Sequence, residues 1–314
     1  MCGRTACSLQ PDKLCRACGK GGKKGRSGSG GKSNEPKWHP GSTTFGEYKT
    51  SYNLAPTDFP PVMCAPEPLE AHLDLSKSEA NSDRLIVPMR WGLIPHWYHA
   101  NPDNFQYRMI NARAETLMEK PVFKSALGRG QRCVMLADGF YEWAGKTGAK
   151  QPYYIYLPVK SEKKVKVEPT SDSESETEIE NKFEPCKLMK LAAVYHVTTI
   201  QGHDEPLMSV AVITVPSSNK IAWMHDRMPA ILTSDQDVAD WLDPDIASRD
   251  VLDMLKPCEA VGYYPVSARV NNVRNKDFAC IEQLGVEKSS PTKRDVKPTQ
   301  ASLDAFFFSG KRRK

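Results

Sequence analysis

Arg132-Cys133-Val134-Met135-Leu136-Ala137-Asp138-Gly139-Phe140-Tyr141-Glu142-Trp143 is the stretch on which the fold turns. Its apolar run is short and carries no helical period, so it reads as a strand that runs into a glycine and an aromatic-flanked carboxylate. Packed between Tyr141 and Trp143, Glu142 would lose solvation, which raises a carboxyl pKa and fits it for proton transfer. On a strand that alternates faces it reads equally as a surface carboxylate.

Similar strand candidates lie on either side. Residues 85–97 look like a strand leading into a turn, with Trp91, His96 and Trp97 beside glycine and prolines. Two tryptophans in that setting are either core or a platform on which bases stack. Residues 151–157, with three tyrosines, and the β-branched runs 188–199 and 207–215 continue the β pattern. Residues 263–267 add a closing strand, followed by the amide-rich loop 270–275. Short helices are expected at 237–242 and 249–255, and residues 51–56 read as a loop. Asn111 and Arg113 are polar residues where an apolar start gives way to helix formers. His225 and Arg227 stand in a turn before Pro229, where side chains can face a cleft.

The chain has 314 residues, 39% hydrophobic and 9% aromatic, enough for a core once low-complexity segments are subtracted. A globular domain of roughly 200 residues with inserts is expected. One insert is the Gly/Ser/Lys run within 19–34; the other is the acidic, Ser-rich stretch 160–184. Within the second, Lys166 sits in a short SUMO-acceptor-like pattern. A net charge of +5 argues only weakly for an anionic partner. No apolar run approaches a membrane span, the N-terminus lacks a signal-peptide core, and the nine cysteines form no short-spaced framework. A reduced, intracellular protein without a membrane is expected. Cys15 and Cys18 form a CxxC with no matching second pair, so they read as plain thiols, and no metal or cofactor is expected.

Cys2 follows the initiator methionine directly, and its small side chain predicts removal of Met1. An N-terminal cysteine holds an α-amine, reference pKa about 7.7–8.0, beside a thiol at about 8.5. The amine condenses with an aldehyde to a Schiff base, and the thiol closes onto that imine as a thiazolidine. The same pair also suits an N-terminal nucleophile hydrolase.

Taken in order, Cys2-Gly3-Arg4, Tyr52-Asn53-Leu54-Ala55-Pro56, Arg90-Trp91-Gly92-Leu93-Ile94-Pro95, Ile110-Asn111-Ala112-Arg113-Ala114-Glu115-Thr116, Asp138-Gly139-Phe140-Tyr141-Glu142-Trp143 and His225-Asp226-Arg227-Met228-Pro229 resemble the SOS-response-associated peptidase (SRAP) family. The resemblance implies an α+β, mainly β fold: one SRAP domain over 2–285 with a barrel-like β core, flanking helices and a DNA-binding cleft. It implies a sensor and shield of abasic sites in single-stranded DNA at replication forks, linked covalently through Cys2 as a thiazolidine. By motif, Cys2 is the nucleophile, Asn111 holds the sugar-derived linkage, Glu142 deprotonates the amine and His225 serves the sugar oxygen. Arg4, Arg113 and Arg227 would hold phosphates, while Asn53, Pro56, Trp91 and Trp97 would shape the cleft and stack on bases. The family name adds peptidase character: autoproteolytic removal of Met1, or crosslink reversal. Two other readings remain open, a cysteine peptidase acting on other proteins and a non-covalent reader of modified bases.

The tail 286–314 loses hydrophobic pattern until Gln300-Ala301-Ser302-Leu303-Asp304-Ala305-Phe306-Phe307. This matches the PIP box that binds the replication sliding clamp PCNA. One tight helical turn would put Leu303, Phe306 and Phe307 on one side while Gln300 reaches a polar pocket. The basic end 311–314 reads as a nuclear signal or nucleic-acid patch. The expected protein is a nuclear monomer.

Overall fold

A computed structural model describes residues 2–19, 35–106, 109–145, 148, 150–159 and 186–285. Residues 20–34 and 160–184 of the expected inserts, the PIP box and the basic end lie outside these residues, as does Lys166, while Gly19 ends a helix. The fold is mainly β with few helices, two sheets forming a curled half-barrel.

The opening stretch contributes to both sheets. Arg132–Ala137 belongs to the nine-stranded sheet, whereas Gly139–Ala144 belongs to the six-stranded one, so the single strand expected over 132–143 is two strands with a break at Asp138. Asp138 donates its N–H to the Ala6 carbonyl at 2.7 Å, and its Oδ2 accepts from both Ser8 N and Ser8 Oγ at 2.7 Å. Gly139 follows because a Cβ there would meet the Ile155 carbonyl at 2.5 Å and the Tyr154 ring. The corner therefore needs a small residue for space.

In the smaller sheet Thr5–Cys7 lies between Ser51–Leu54 and Gly139–Ala144, antiparallel to both. Residues 51–54 are thus a strand and not the expected loop: their backbone groups are paired to the N-terminal segment. Gln151–Pro158 pairs with Gly139–Ala144 on one side and with Gly262–Pro265 and Cys186–Lys187 on the other. The larger sheet runs Arg227–Pro229, Leu207–Pro216, Met189–Thr198, Arg132–Ala137, Pro61–Cys64, Leu85–Pro88, Lys37–Trp38, and two short strands, Arg90–Trp91 and Asn111–Arg113, pair in parallel with Leu207–Pro216.

Met189–Thr198 and Leu207–Pro216 are buried on both faces, which explains their nearly continuous apolar sequence. Helix Pro121–Gly128 packs against Met189–Thr198 and helix Asp235–Leu242 against Arg132–Ala137. The second is tied down by Trp241, whose indole donates to the Cys133 carbonyl at 2.9 Å. Arg132 in turn caps the helix end by donating to the Trp241, Asp243 and Ile246 carbonyls. Among the expected helices, 237–242 is part of Asp235–Leu242, while 249–255 is split into Ser248–Val251 and the 3-10 turn Leu252–Met254. Helix Pro11–Gly19 buries Leu14, Cys15 and Cys18 at i, i+1 and i+4. Burial pushes the Cys18 thiol up to about 11. Among the described residues no group of three or more His, Cys, Asp or Glu is arranged to hold a metal.

Candidate functional site

The seam between the two sheets collects the chemistry. Past the Thr5–Cys7 strand, whose ladder continues as Tyr141 N–H donates to the Arg4 carbonyl, the chain runs back to Cys2, which is fully buried. Asn111, the first residue of its strand in the larger sheet, donates from Nδ2 to the Cys2 carbonyl at 2.8 Å. The larger sheet thereby grips the N-terminal residue of the smaller one. Burial, and secondarily the charge of Glu142, push the Cys2 thiol well above its ordinary range. A thiol in this setting is neutral, so it is not a ready thiolate nucleophile.

Glu142 lies opposite Tyr153 in the smaller sheet and is only 3% exposed. Strand alternation sends Tyr141 to one core and Phe140 and Glu142 toward the other, where Cys2 is. Burial is the main reason its carboxyl is pushed up to about 7, and the neighbouring Asp226 adds to the shift. Glu142 Oε1 and Asn111 Oδ1 are both buried without a hydrogen-bond partner. Two such acceptors beside one buried residue leave hydrogen-bonding capacity that a ligand or a water can fill.

His225 comes from the turn between Leu207–Pro216 and Arg227–Pro229, closed by Ser217 N–H donating to the Asp226 carbonyl. Its Nδ1 accepts from the Arg227 N–H at 3.0 Å in the neutral form with the proton on Nε2, whereas the other tautomer would donate from Nδ1 to Asp226 Oδ1. Burial lowers its pKa, in agreement with that neutral form; the 3.0 Å approach of Asp226 Oδ1 to the same nitrogen becomes an ion pair only on protonation. The site thus brings together a buried thiol, a carboxyl poised near neutrality, an imidazole and an amide.

The other expected site residues divide by exposure. Arg4 donates to Asn53 Oδ1 at 3.1 Å and to the Val270 carbonyl at 2.7 Å, and stacks over Trp143 at 5.8 Å. Asn53 is fully buried and donates to the carbonyls of Val270, Asn272 and Asn275. Arg227, 9% exposed, donates to both carboxylate oxygens of Glu115 and to the Thr214 carbonyl. Trp91 is fully buried with its indole donating to the Ile110 carbonyl at 3.0 Å. In this structure the hydrogen bonds of these four side chains go to protein groups, while Arg227 Nε is buried without a partner. Arg113 and Trp97 are exposed, and half-buried Pro56 lines a cavity of about 260 Å³ with Trp91 and Ile110. Gln300, Leu303, Phe306 and Phe307 lie outside the described residues.

Lys150 was not among the expected residues, yet its charge acts on both Glu142 and His225. It belongs to no motif; only the pairing of 151–158 with 139–144 brings it there.

The SOS response associated peptidase (SRAP) family model matches residues 1–273. The chain is 39% identical over 287 residues to the abasic site processing protein HMCES of Xenopus tropicalis, covering 90% of this chain and 78% of that one. It is 36% identical to the Gallus gallus protein of the same name over 306 residues, 96% of this chain and 82% of that one. The abasic site processing protein YoaM of Bacillus subtilis is 33% identical over 241 residues, 76% and 86% of the two chains. A crystal structure of a protein from Bacteroides thetaiotaomicron superposes with a TM-score of 0.61 over 90% of this chain and 99% of that one; at 21% identity this is a likeness of fold.

Proposed function

Because the chain belongs to the SOS response associated peptidase (SRAP) family, we propose that it processes abasic sites in DNA, capturing the ring-opened sugar aldehyde on Cys2. The observation that carries this reading is the buried Glu142 carboxyl, pushed up to about 7 with Oε1 unpartnered, beside a Cys2 whose carbonyl is held by Asn111.

Once Met1 is removed, Glu142 takes a proton from the Cys2 ammonium and frees the amine. The amine adds to the aldehyde carbon, and the resulting carbinolamine hydroxyl leaves as water on receiving the proton that Glu142 took, while the nitrogen returns a proton to Glu142 and a neutral imine remains; the His225 Nε2–H hydrogen-bonds the departing oxygen. The neutral thiol then adds across the C=N bond: sulfur bonds to carbon, its proton passes to nitrogen, and a thiazolidine results. A raised thiol pKa suits this order, since the amine acts first and the sulfur traps an already activated imine. It suits a thiolate-dependent peptidase acting on other proteins poorly. Asn111 fixes the Cys2 backbone so that amine and thiol face the same carbon.

The finer parts of the reading follow the same premise. The substrate is single-stranded DNA, in which the adduct shields the lesion from strand cleavage at replication forks. Removal of Met1 is autoproteolytic, and the crosslink is reversible at the same residues, giving the protein lyase-like and peptidase character. The protein acts as a monomer in the nucleus, and the PIP box at 300–307 joins it to PCNA.

The test is a single-stranded oligonucleotide carrying one abasic site, incubated with protein whose N-terminus has been read by mass spectrometry. A heat-stable adduct that disappears in Cys2→Ala and on acetylation of the N-terminal amine is expected. Equal crosslinking by Cys2→Ala refutes the reading.

A further inference from the structure

Outside the Cys2 cluster, three aromatic rings form a surface group that no step of the proposed chemistry uses. Tyr153 and Trp223 lie 5.2 Å apart between ring centroids, Trp223 and Tyr263 5.7 Å, and Tyr153 and Tyr263 6.1 Å, each pair edge to face. Such contacts hold rings in fixed mutual orientations. Yet Trp223 is 54% exposed and Tyr263 37%, so a wide aromatic surface is left in water.

Register puts this group beside the site. Tyr153 is directly opposite Glu142, and Tyr263 is opposite Ile155, two residues along the same strand, so both rings leave the sheet on the Glu142 face. Trp223 is two residues ahead of His225 in the turn that supplies that histidine. Lys150, exposed, is close enough for its charge to act on both Glu142 and His225. An aromatic face with an adjacent ammonium matches a nucleotide, the base on the ring and the phosphate on the cation. Three rings can also take a methylated ammonium, but Lys150 repels such a guest. Asp226, the acidic group of the turn, has its Oδ1 3.0 Å from His225 Nδ1.

We propose that Trp223, braced by Tyr153 and Tyr263, is the stacking platform for the nucleobase adjoining the abasic sugar, with Lys150 on the phosphate between them. This rests on the abasic-site reading and adds a subsite to it. The platform selects DNA with a base next to the lesion over a bare sugar aldehyde.

The test uses full-length protein and single-stranded oligonucleotides with 2-aminopurine on one or the other side of an abasic site. Quenching from one side is expected, lost in Trp223→Ala. At sub-saturating DNA, Trp223→Ala should crosslink about tenfold more slowly, as expected for loss of one base stack, and Trp223→Phe should recover most of that rate. Capture of free 2-deoxyribose, which has no neighbouring base, should be equal in all three proteins. Wild-type crosslinking rates in Trp223→Ala overturn the platform and leave Cys2 capture standing. Should the wild type form no adduct, the abasic-site reading fails, and affinity for undamaged single strands decides the platform: a loss in Trp223→Ala keeps it as a base-stacking site, and no loss overturns it. A trimethyl-lysine peptide that binds the wild type but not Trp223→Ala, with DNA affinity unchanged, also overturns it.

Discussion

Two asparagines, each reaching toward the N-terminal segment, make opposite use of their amides. Asn53 spends all of its side-chain capacity inside the protein: Nδ2 donates to three carbonyls of the 270–275 loop, and Oδ1 accepts from Arg4. Asn111 donates once, to the Cys2 carbonyl, and its Oδ1 is buried with no partner. Saturation marks scaffold, and a withheld acceptor beside a second one on Glu142 marks a site. Both residues stand in family-like motifs, so motif membership alone does not tell them apart. What separates them is whether a ligand is still needed to complete their hydrogen bonding.

The largest effect that would break this distinction is at Cys2. Cys2→Ala should lose the heat-stable adduct entirely on a denaturing gel. Cys2→Ser keeps the amine but not the sulfur, so it should give a linkage that survives heating only after borohydride reduction. Survival of an unreduced adduct in Cys2→Ser would show that the thiol does not close the ring.

Next in size is Glu142→Gln, expected to slow adduct formation by about 10²–10³-fold, the usual range for a removed general base. The wild-type rate should rise with pH through about 7 as Glu142 loses its proton, and that limb should vanish in the variant. Stability should move the other way. The folded pKa is raised above the unfolded value, so Glu142 favours the fold below about pH 4 and that contribution is lost as pH rises through about 7. At pH 8 the variant should therefore be more stable in urea than the wild type, by about 1–3 kcal/mol, with little difference at pH 4. A destabilised Glu142→Gln at pH 8 would place Glu142 with Asn53 among the scaffold.

The asparagine pair gives a direct comparison of intermediate size. Asn53→Ala removes three bonds to loop carbonyls and one from Arg4 and should cost about 2–4 kcal/mol in urea unfolding, at roughly 1 kcal/mol for each bond lost. Asn111→Ala removes one bond and one orphan, so it should cost less than about 1 kcal/mol while slowing the chemistry. The reverse ranking would undo the distinction between the two.

Much of the fold was legible in the sequence, and what was not depends on distant parts of the chain. The β-branched runs at 188–199 and 207–215 were readable because burial on both faces leaves little but apolar residues. The break at Asp138 was not, because Gly139 is dictated by the Ile155 carbonyl and Tyr154 ring across the sheet, information held elsewhere in the chain. Cys2, Asn111, Glu142 and His225, proposed here as the chemical residues, each stand in a motif, and the structure brings Asn111 onto Cys2 and buries Glu142. Arg4, Asn53, Trp91 and Arg227 stand in motifs too, and in this structure they hydrogen-bond to protein groups. A motif records that a residue is needed but not which way it points. Lys150 shows the converse: it carries no motif and reaches the site by strand pairing alone.

The smallest expected effect concerns Arg113, which tests whether exposure sorts the arginines correctly. It lies two residues beyond Asn111 on a short strand, hence on the same face, and it is exposed where Arg4 and Arg227 are bonded inward. If it meets a phosphate, Arg113→Ala should weaken binding to undamaged single strands of any sequence. It should also reduce the slope of log affinity against log salt by about 0.7, the increment for one phosphate contact on a single strand. Arg4→Ala should instead lower stability, because the carbonyl of Val270 loses a buried donor, and its salt slope should follow the wild type wherever the protein remains folded. An unchanged slope in Arg113→Ala together with a reduced one in Arg4→Ala would mean that the N-terminal arginine swings outward on DNA, and that the saturation of the Asn53 network belongs only to the unbound protein.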